Sequence, residues 1–114
     1  MKTATFHPDR VFRALADQTR LRILNLLQGG EVCVCDLVCV LESPQPTVSR
    51  HLAYLRRAGL VKARKEGIWA YYELVPAESE FEQAVRKCLD VCGGEARFAR
   101  DAAMLRKKQS PCCE

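Results

Sequence analysis

Hydrophobic positions first fall into a helical rhythm just after Pro8, where Val11, Phe12 and Leu15 follow one another. Proline suits a first helical turn because its missing N–H would have had no partner there. Asp17 then reads as the N-cap of a second helix, its carboxylate accepting from an otherwise unpaired backbone N–H. Leu21, Ile23, Leu24, Leu26 and Leu27 are too dense for a one-sided surface helix, so this helix is expected to be largely buried. Gly29 and Gly30 end it. In the following segment, "EVCVCDLVCVLE" from Glu31 to Glu42, Val34, Leu37, Val38 and Leu41 stand at i, i+3, i+4 and i+7. That is the buried stripe of a short amphipathic helix. At about 100° per residue, Cys35 and Cys39 share a flank beside the stripe, and Cys33 joins them only if the chain is not helical at its start.

"ESPQPTVSRHLAYLRRAG" continues with Ser43 as the expected N-cap and with Pro44 and Pro46 in positions that an early helical turn tolerates. Val48, Leu52 and Leu55 turn inward, which leaves Gln45, Thr47, Ser49 and Arg50 outward, and Gly59 closes the helix. From Leu60 to Leu74 the period changes. Two extended runs rich in Val, Ile, Trp and Tyr flank Glu66 and Gly67 and predict a hairpin. Ser79 and Glu82 form a capping-box pattern ahead of a helix whose stripe is Phe81, Val85, Cys88, Leu89 and Cys92. After Gly93 and Gly94 a last amphipathic segment runs from Glu95 to about Lys108, with Phe98, Ala102 and Leu105 in line. The fold class is therefore mainly α with a β-hairpin. A short helix, a tight turn, a second helix with a polar face and then a hairpin make a winged helix-turn-helix. Residues 1–94 are expected to form the DNA-binding and dimerisation domain, and 95–114 a C-terminal helix with a flexible, cysteine-containing tail.

At 114 residues the chain is about one domain, of a size that often completes its burial by dimerising. No apolar run approaches the roughly 18 residues of a membrane span, and "MKTATFHPDR" lacks the apolar block of a secretory signal. A cytoplasmic location is expected, in which cysteines stay reduced. The net charge is +4, but its distribution says more: Arg50, Arg56, Arg57, Lys62, Arg64 and Lys65 occur with no acidic residue among them. A helix fits the major groove, and glutamine and arginine offer bidentate hydrogen bonds to base edges. Gln45, Thr47, Ser49, Arg50 and His51 are accordingly the candidate groove residues. Lys62, Arg64 and Lys65 are the candidate phosphate grips of the wing. Trp69, Tyr71 and Tyr72 read as packing aromatics.

Seven cysteines in a reducing compartment favour metal binding or redox chemistry over a stapled framework. Thiolates are soft ligands that select soft ions, and the chain offers zinc only two histidines, His7 and His51. "ALADQTRLRILNLL", "VCVCDL", "QPTVSRHLAYLRRAGLV" and "RKEGIWAYYEL", covering roughly Phe12 to Leu74, resemble the ArsR/SmtB family of metalloregulatory repressors, most closely its arsenical-responsive branch. The resemblance implies a homodimer that binds a two-fold double-stranded operator in front of resistance genes and leaves it when arsenite or antimonite binds. It also implies that the first helix and the helix carrying Cys88 build the dimer interface. The resemblance further implies that no cofactor is required and that the effector is As(III) or Sb(III), bound by cysteine thiolates.

In that branch the sensor is a C-V-C-D-L segment with one further cysteine, and Cys33 and Cys35 match it. The position three after the second cysteine is Val38 here, and the thiol stands at Cys39 instead. Cys88 and Cys92 read as interface packing, with a second thiolate site as the alternative. Cys112 and Cys113 form an adjacent pair able to chelate loosely or to supply a third thiol. A thiol-based redox sensor, or a zinc- or cadmium-sensing repressor of the same fold, is the rival reading. An enzyme is not expected, because the sequence shows no histidine beside the cysteine cluster and no glycine-rich phosphate loop.

Overall fold

A computed structural model describes residues 7–108. Its helices are α1 (Pro8–Leu15), α2 (Gln18–Leu26), α3 (Val34–Leu41), α4 (Gln45–Arg57), α5 (Glu80–Cys92) and α6 (Ala96–Lys107); its strands are β1 (Val32–Cys33), β2 (Val61–Glu66) and β3 (Trp69–Leu74). Cys112 and Cys113 lie outside the described residues.

Local signals act where they stand in the sequence. Asp17 caps α2 by accepting from the Arg20 backbone N–H at 3.0 Å. Burial alone would raise the pKa of this carboxyl, but the hydrogen bond from the Arg20 backbone and the neighbouring positive charge outweigh that and lower it. Ser79 and Glu82 close a capping box around the start of α5. The expected cap of α4 is different: Pro44 occupies the N-cap position without a side-chain hydrogen bond. The Ser43 hydroxyl instead donates to the Leu41 carbonyl.

The core is built from α2, α3 and α4, with Ile23, Leu24, Leu37, Val48, Leu52 and Leu55 all fully buried. Val11 and Ala14 seat α1 on it, and Val85 and Leu89 seat α5. Some expected core positions differ. Val40 is buried on α3, whereas Val38 is only half-buried against the core. Phe12 is 58% exposed and meets Phe81 edge to face. Cys88, expected in the apolar face of α5, is exposed, while Cys92 is half-buried.

Two features were not legible in the periodicity. The hairpin is part of a three-stranded antiparallel sheet in the order β1-β3-β2, because Val32 pairs with Tyr72 and Cys33 with Tyr71. The hairpin turn itself runs through Gly67, at φ 63°. The second feature is Asp101 of α6, which is 1% exposed and receives two hydrogen bonds, at 2.7 and 3.0 Å, from Arg22 of α2. A carboxylate tolerates that burial only because the guanidinium answers it in bidentate fashion. The pair fixes α6 across α2, and the Lys108–Asp36 ion pair at 3.6 Å brings the end of α6 to α3.

Candidate nucleic-acid interface and thiol site

On α4 the apolar and polar residues separate cleanly. Val48, Leu52 and Leu55 face the core, and about 180° away Pro46, Arg50, Ala53 and Arg57 form a row at i, i+4, i+7 and i+11. Gln45, Ser49 and Arg50 are exposed near the start of the helix, and Thr47 is half-buried. His51 stands on the flank toward α2, where its Nδ1 lies 3.4 Å from an Arg20 guanidinium nitrogen. Because that guanidinium can only donate, a hydrogen bond between the two has Nδ1 as its acceptor. Arg20 is anchored further by the carbonyls of Ala14 at 2.8 Å and Arg13 at 3.2 Å, and it stacks 4.0 Å from the Tyr54 ring centroid. Helix α4 is thereby tied to the α1–α2 corner through one arginine that the sequence did not single out.

The hairpin uses its charges otherwise. Arg64 donates to both carboxylate oxygens of Glu31, at 2.8 and 2.9 Å, and to Glu66 at 2.6 Å. Its guanidinium also lies 4.6 Å from the Tyr71 ring centroid. These bonds raise the Arg64 pKa, and the bond from Arg64 holds the Glu31 carboxyl below the usual carboxylate range. Lys62 faces Glu73 across the strands at 3.8 Å. Lys65 is exposed.

The strap from Arg64 ends two residues before the thiol pair. Cys33 ends β1 in an extended conformation, φ −72° and ψ 143°, and serves as the N-cap of α3. That non-helical start brings its Sγ to 3.3 Å from the Sγ of Cys35. Cys33 is buried and Cys35 half-buried. Cys39 is exposed one turn further along α3. Among the described residues, no three cysteine, histidine or carboxylate side chains converge on one point.

The sulfur spacing bears on which ion the pair suits. A tetrahedral centre with bonds of about 2.3 Å, the zinc–thiolate length, separates its thiolates by about 3.8 Å. At 3.3 Å the Cys33–Cys35 pair stands somewhat closer than that, and two thiols so placed can act together on one soft ion.

Residues 17–63 match the family described as "Bacterial regulatory protein, arsR family". Over 66 residues the chain is 53% identical to an uncharacterized HTH-type transcriptional regulator of Methanocaldococcus jannaschii, a match covering 57% of this chain and 74% of that protein. It is 53% identical over 70 residues to the arsenical resistance operon repressor of Escherichia coli, covering 60% of each. Among solved structures, HlyU from Vibrio cholerae superposes with a TM-score of 0.64 at 35% identity, covering 75% of this chain and 87% of that one. Among the described residues, no helix is long and apolar enough to cross a membrane.

Proposed function

This chain belongs to the arsR family of bacterial regulatory proteins, and we propose that it is a homodimeric repressor of an arsenic-resistance operon, released when As(III) or Sb(III) binds its thiolates. The observation that carries this reading is the meeting of Cys33 and Cys35, 3.3 Å apart, at the joint between the wing sheet and the helix that supports α4.

Cys33 and Cys35 are the first two ligands, each losing its proton as the ion binds. Cys39 is the third. For its sulfur to reach the others, the first turn of α3 has to distort, since Cys33 lies before the helix and Cys39 a full turn beyond Cys35. The distortion has two routes to the DNA-reading surface. Cys33 pairs with Tyr71 of β3, so its movement pulls on the wing. Leu37 and Leu41 belong to the same buried core as Val48 and Leu52 of α4, so a shift of α3 re-aims that helix. A ligand that favours the distorted state weakens DNA binding by the same coupling free energy with which DNA weakens metalloid binding, typically about 1 to 3 kcal/mol.

Gln45, Thr47, Ser49 and Arg50 present the groove-reading face, with His51 on its flank. Lys62, Arg64 and Lys65 complete the wing side, where Lys65 is the phosphate grip without a carboxylate partner among the described residues. The dimer forms through α1 and α5. Phe81, Ala84, Cys88 and Val91 stand at i, i+3, i+7 and i+10 along an outer face of α5. Val91 is 69% exposed, and Phe12 of α1 continues the same apolar surface. Cys88 and Cys92 serve this interface.

The test is a titration of protein bound to a fluorescent duplex, selected by the protein from a random pool, with sodium arsenite. Arsenite is expected to release the duplex, and Cys33→Ser with Cys35→Ser to abolish release while leaving duplex affinity intact. Unchanged release in that double variant would sink the assignment. Because two thiols 3.3 Å apart also suit oxidation, a thiol-redox repressor is the second reading. It is favoured instead if peroxide, and not arsenite, frees the duplex, while release by zinc or cadmium alone would indicate the metal-sensing variant.

A further inference from the structure

Between α1 and the second half of α4 lies an open cleft of about 380 Å³ lined by Arg10, Arg13, Tyr54, Arg57 and Ala58. It holds three guanidiniums, and none of the three has a carboxylate partner among the described residues. A fourth, Arg20, stacks on the Tyr54 ring at 4.0 Å, is already held by two carbonyls and faces Asp17 at 3.9 Å. Such a concentration of unanswered positive charge, with an aromatic floor, fits an anion.

The location says which anion. Arg57 lies in the outward row of α4 that includes Arg50. Seven residues of helix separate the two, about 10 Å. The major groove is about 12 Å wide, so a helix that sets Arg50 against base edges carries Arg57 to the phosphate wall of the groove. Arg10 and Arg13 approach the same point from α1. The roughly 100° helical step puts Arg10 about 160° and Arg13 about 100° around α1 from Phe12, so dimerisation through Phe12 and α5 leaves the cleft open.

We propose that this cleft clamps a backbone phosphate of the bound DNA, with Arg10 and Arg13 of α1 acting together with Arg57. This rests on the DNA-binding reading above and extends the contact surface from the helix-turn-helix and wing to the first helix. The contact is with phosphate alone, so it adds affinity without reading sequence.

The experiment measures duplex affinity of the full chain against salt concentration, for the pool-selected duplex and for an unrelated duplex of the same length. For Arg10→Ala with Arg13→Ala, the slope of log K against log salt is expected to become shallower by about 0.9 for each lost phosphate, near 2 for a dimer. The fold-loss is expected to be the same on both duplexes. Arg10→Lys with Arg13→Lys should keep the slope, because the charge remains. A wild-type chain that binds no duplex at low salt overturns the DNA-binding reading and this one with it. A wild-type chain that binds while the alanine variant keeps the full slope overturns only the cleft. Calorimetric binding of inorganic phosphate to the wild type but not the alanine variant, with that slope unchanged, assigns the cleft to a small oxyanion and also overturns the proposal.

Discussion

Two basic stretches stand side by side in this molecule, α4 and the β2–β3 hairpin, and their charges have different neighbours. On α4, Arg50 and Arg57 project away from the core, and the residues three and four positions from Arg50 are Pro46, Thr47, Ala53 and Tyr54, none of them acidic. On the hairpin, the antiparallel register sets Lys62 opposite Glu73, and Arg64 is enclosed by Glu31, Glu66 and Tyr71. A helix side that faces no other element offers its cations only their near neighbours in sequence; a strand presents them to whatever the partner strand carries. Equal charge in the sequence thus leaves the α4 cations open to a polyanion, while Lys62 and Arg64 of the wing already face carboxylates.

The largest expected effect comes from the packing that aims α4. Leu52→Ala removes a fully buried side chain between α4 and the core, which should cost about 2 to 5 kcal/mol of stability. Urea denaturation checks it, as a lower midpoint with an unchanged slope. A loss well under 1 kcal/mol would mean that the seam is loosely packed and does not orient the helix. Next in size, Arg50→Ala should leave the urea midpoint in place and weaken binding to the pool-selected duplex by about 1 to 3 kcal/mol, with a smaller loss on unrelated DNA. Equal losses on both duplexes would place Arg50 on phosphate and erase its distinction from a wing residue.

The smallest effect tests the wing strap by pH. Bonding from Arg64 holds the Glu31 carboxyl below its ordinary range, so its contribution is complete above the unfolded-state value and disappears only as pH falls through the lower folded-state value. Trp69, the single tryptophan, sits at the start of β3 beside this network. Its fluorescence should show an acid transition below the usual carboxylate range, and Glu31→Gln should remove that transition. A transition that persists in Glu31→Gln would assign it to another carboxylate and loosen the contrast between hairpin and helix.

What could be read beforehand is governed by short-range rules. Val48, Leu52 and Leu55 are buried as their spacing requires, Asp17 caps α2, and Ser79 with Glu82 caps α5, because each depends on hydrogen bonds or faces within about one helical turn. The need for a non-helical start at Cys33 was visible for the same reason. Strand β1 was not visible: two residues carry no period, and their partners Tyr71 and Tyr72 are some forty positions away. Asp101 looked like one more charge on α6 until α2 supplied Arg22. Phe12 and Cys88 obeyed helical spacing and still ended exposed, since periodicity identifies an apolar face without saying whether this chain or another covers it.

By itself the sequence determined the winged helix-turn-helix, the polar outward side at the start of α4, and the cysteine cluster ahead of it, all properties of neighbouring residues. Only the tertiary structure decided that Cys33 lies in the wing sheet 3.3 Å from Cys35, that Arg64 straps the wing to Glu31, and that Arg10 and Arg13 open onto α4. These join residues that are either set at a strand-to-helix joint or far apart along the chain. Which groups meet there depends on how the elements pack, and the local pattern of no single element contains that information.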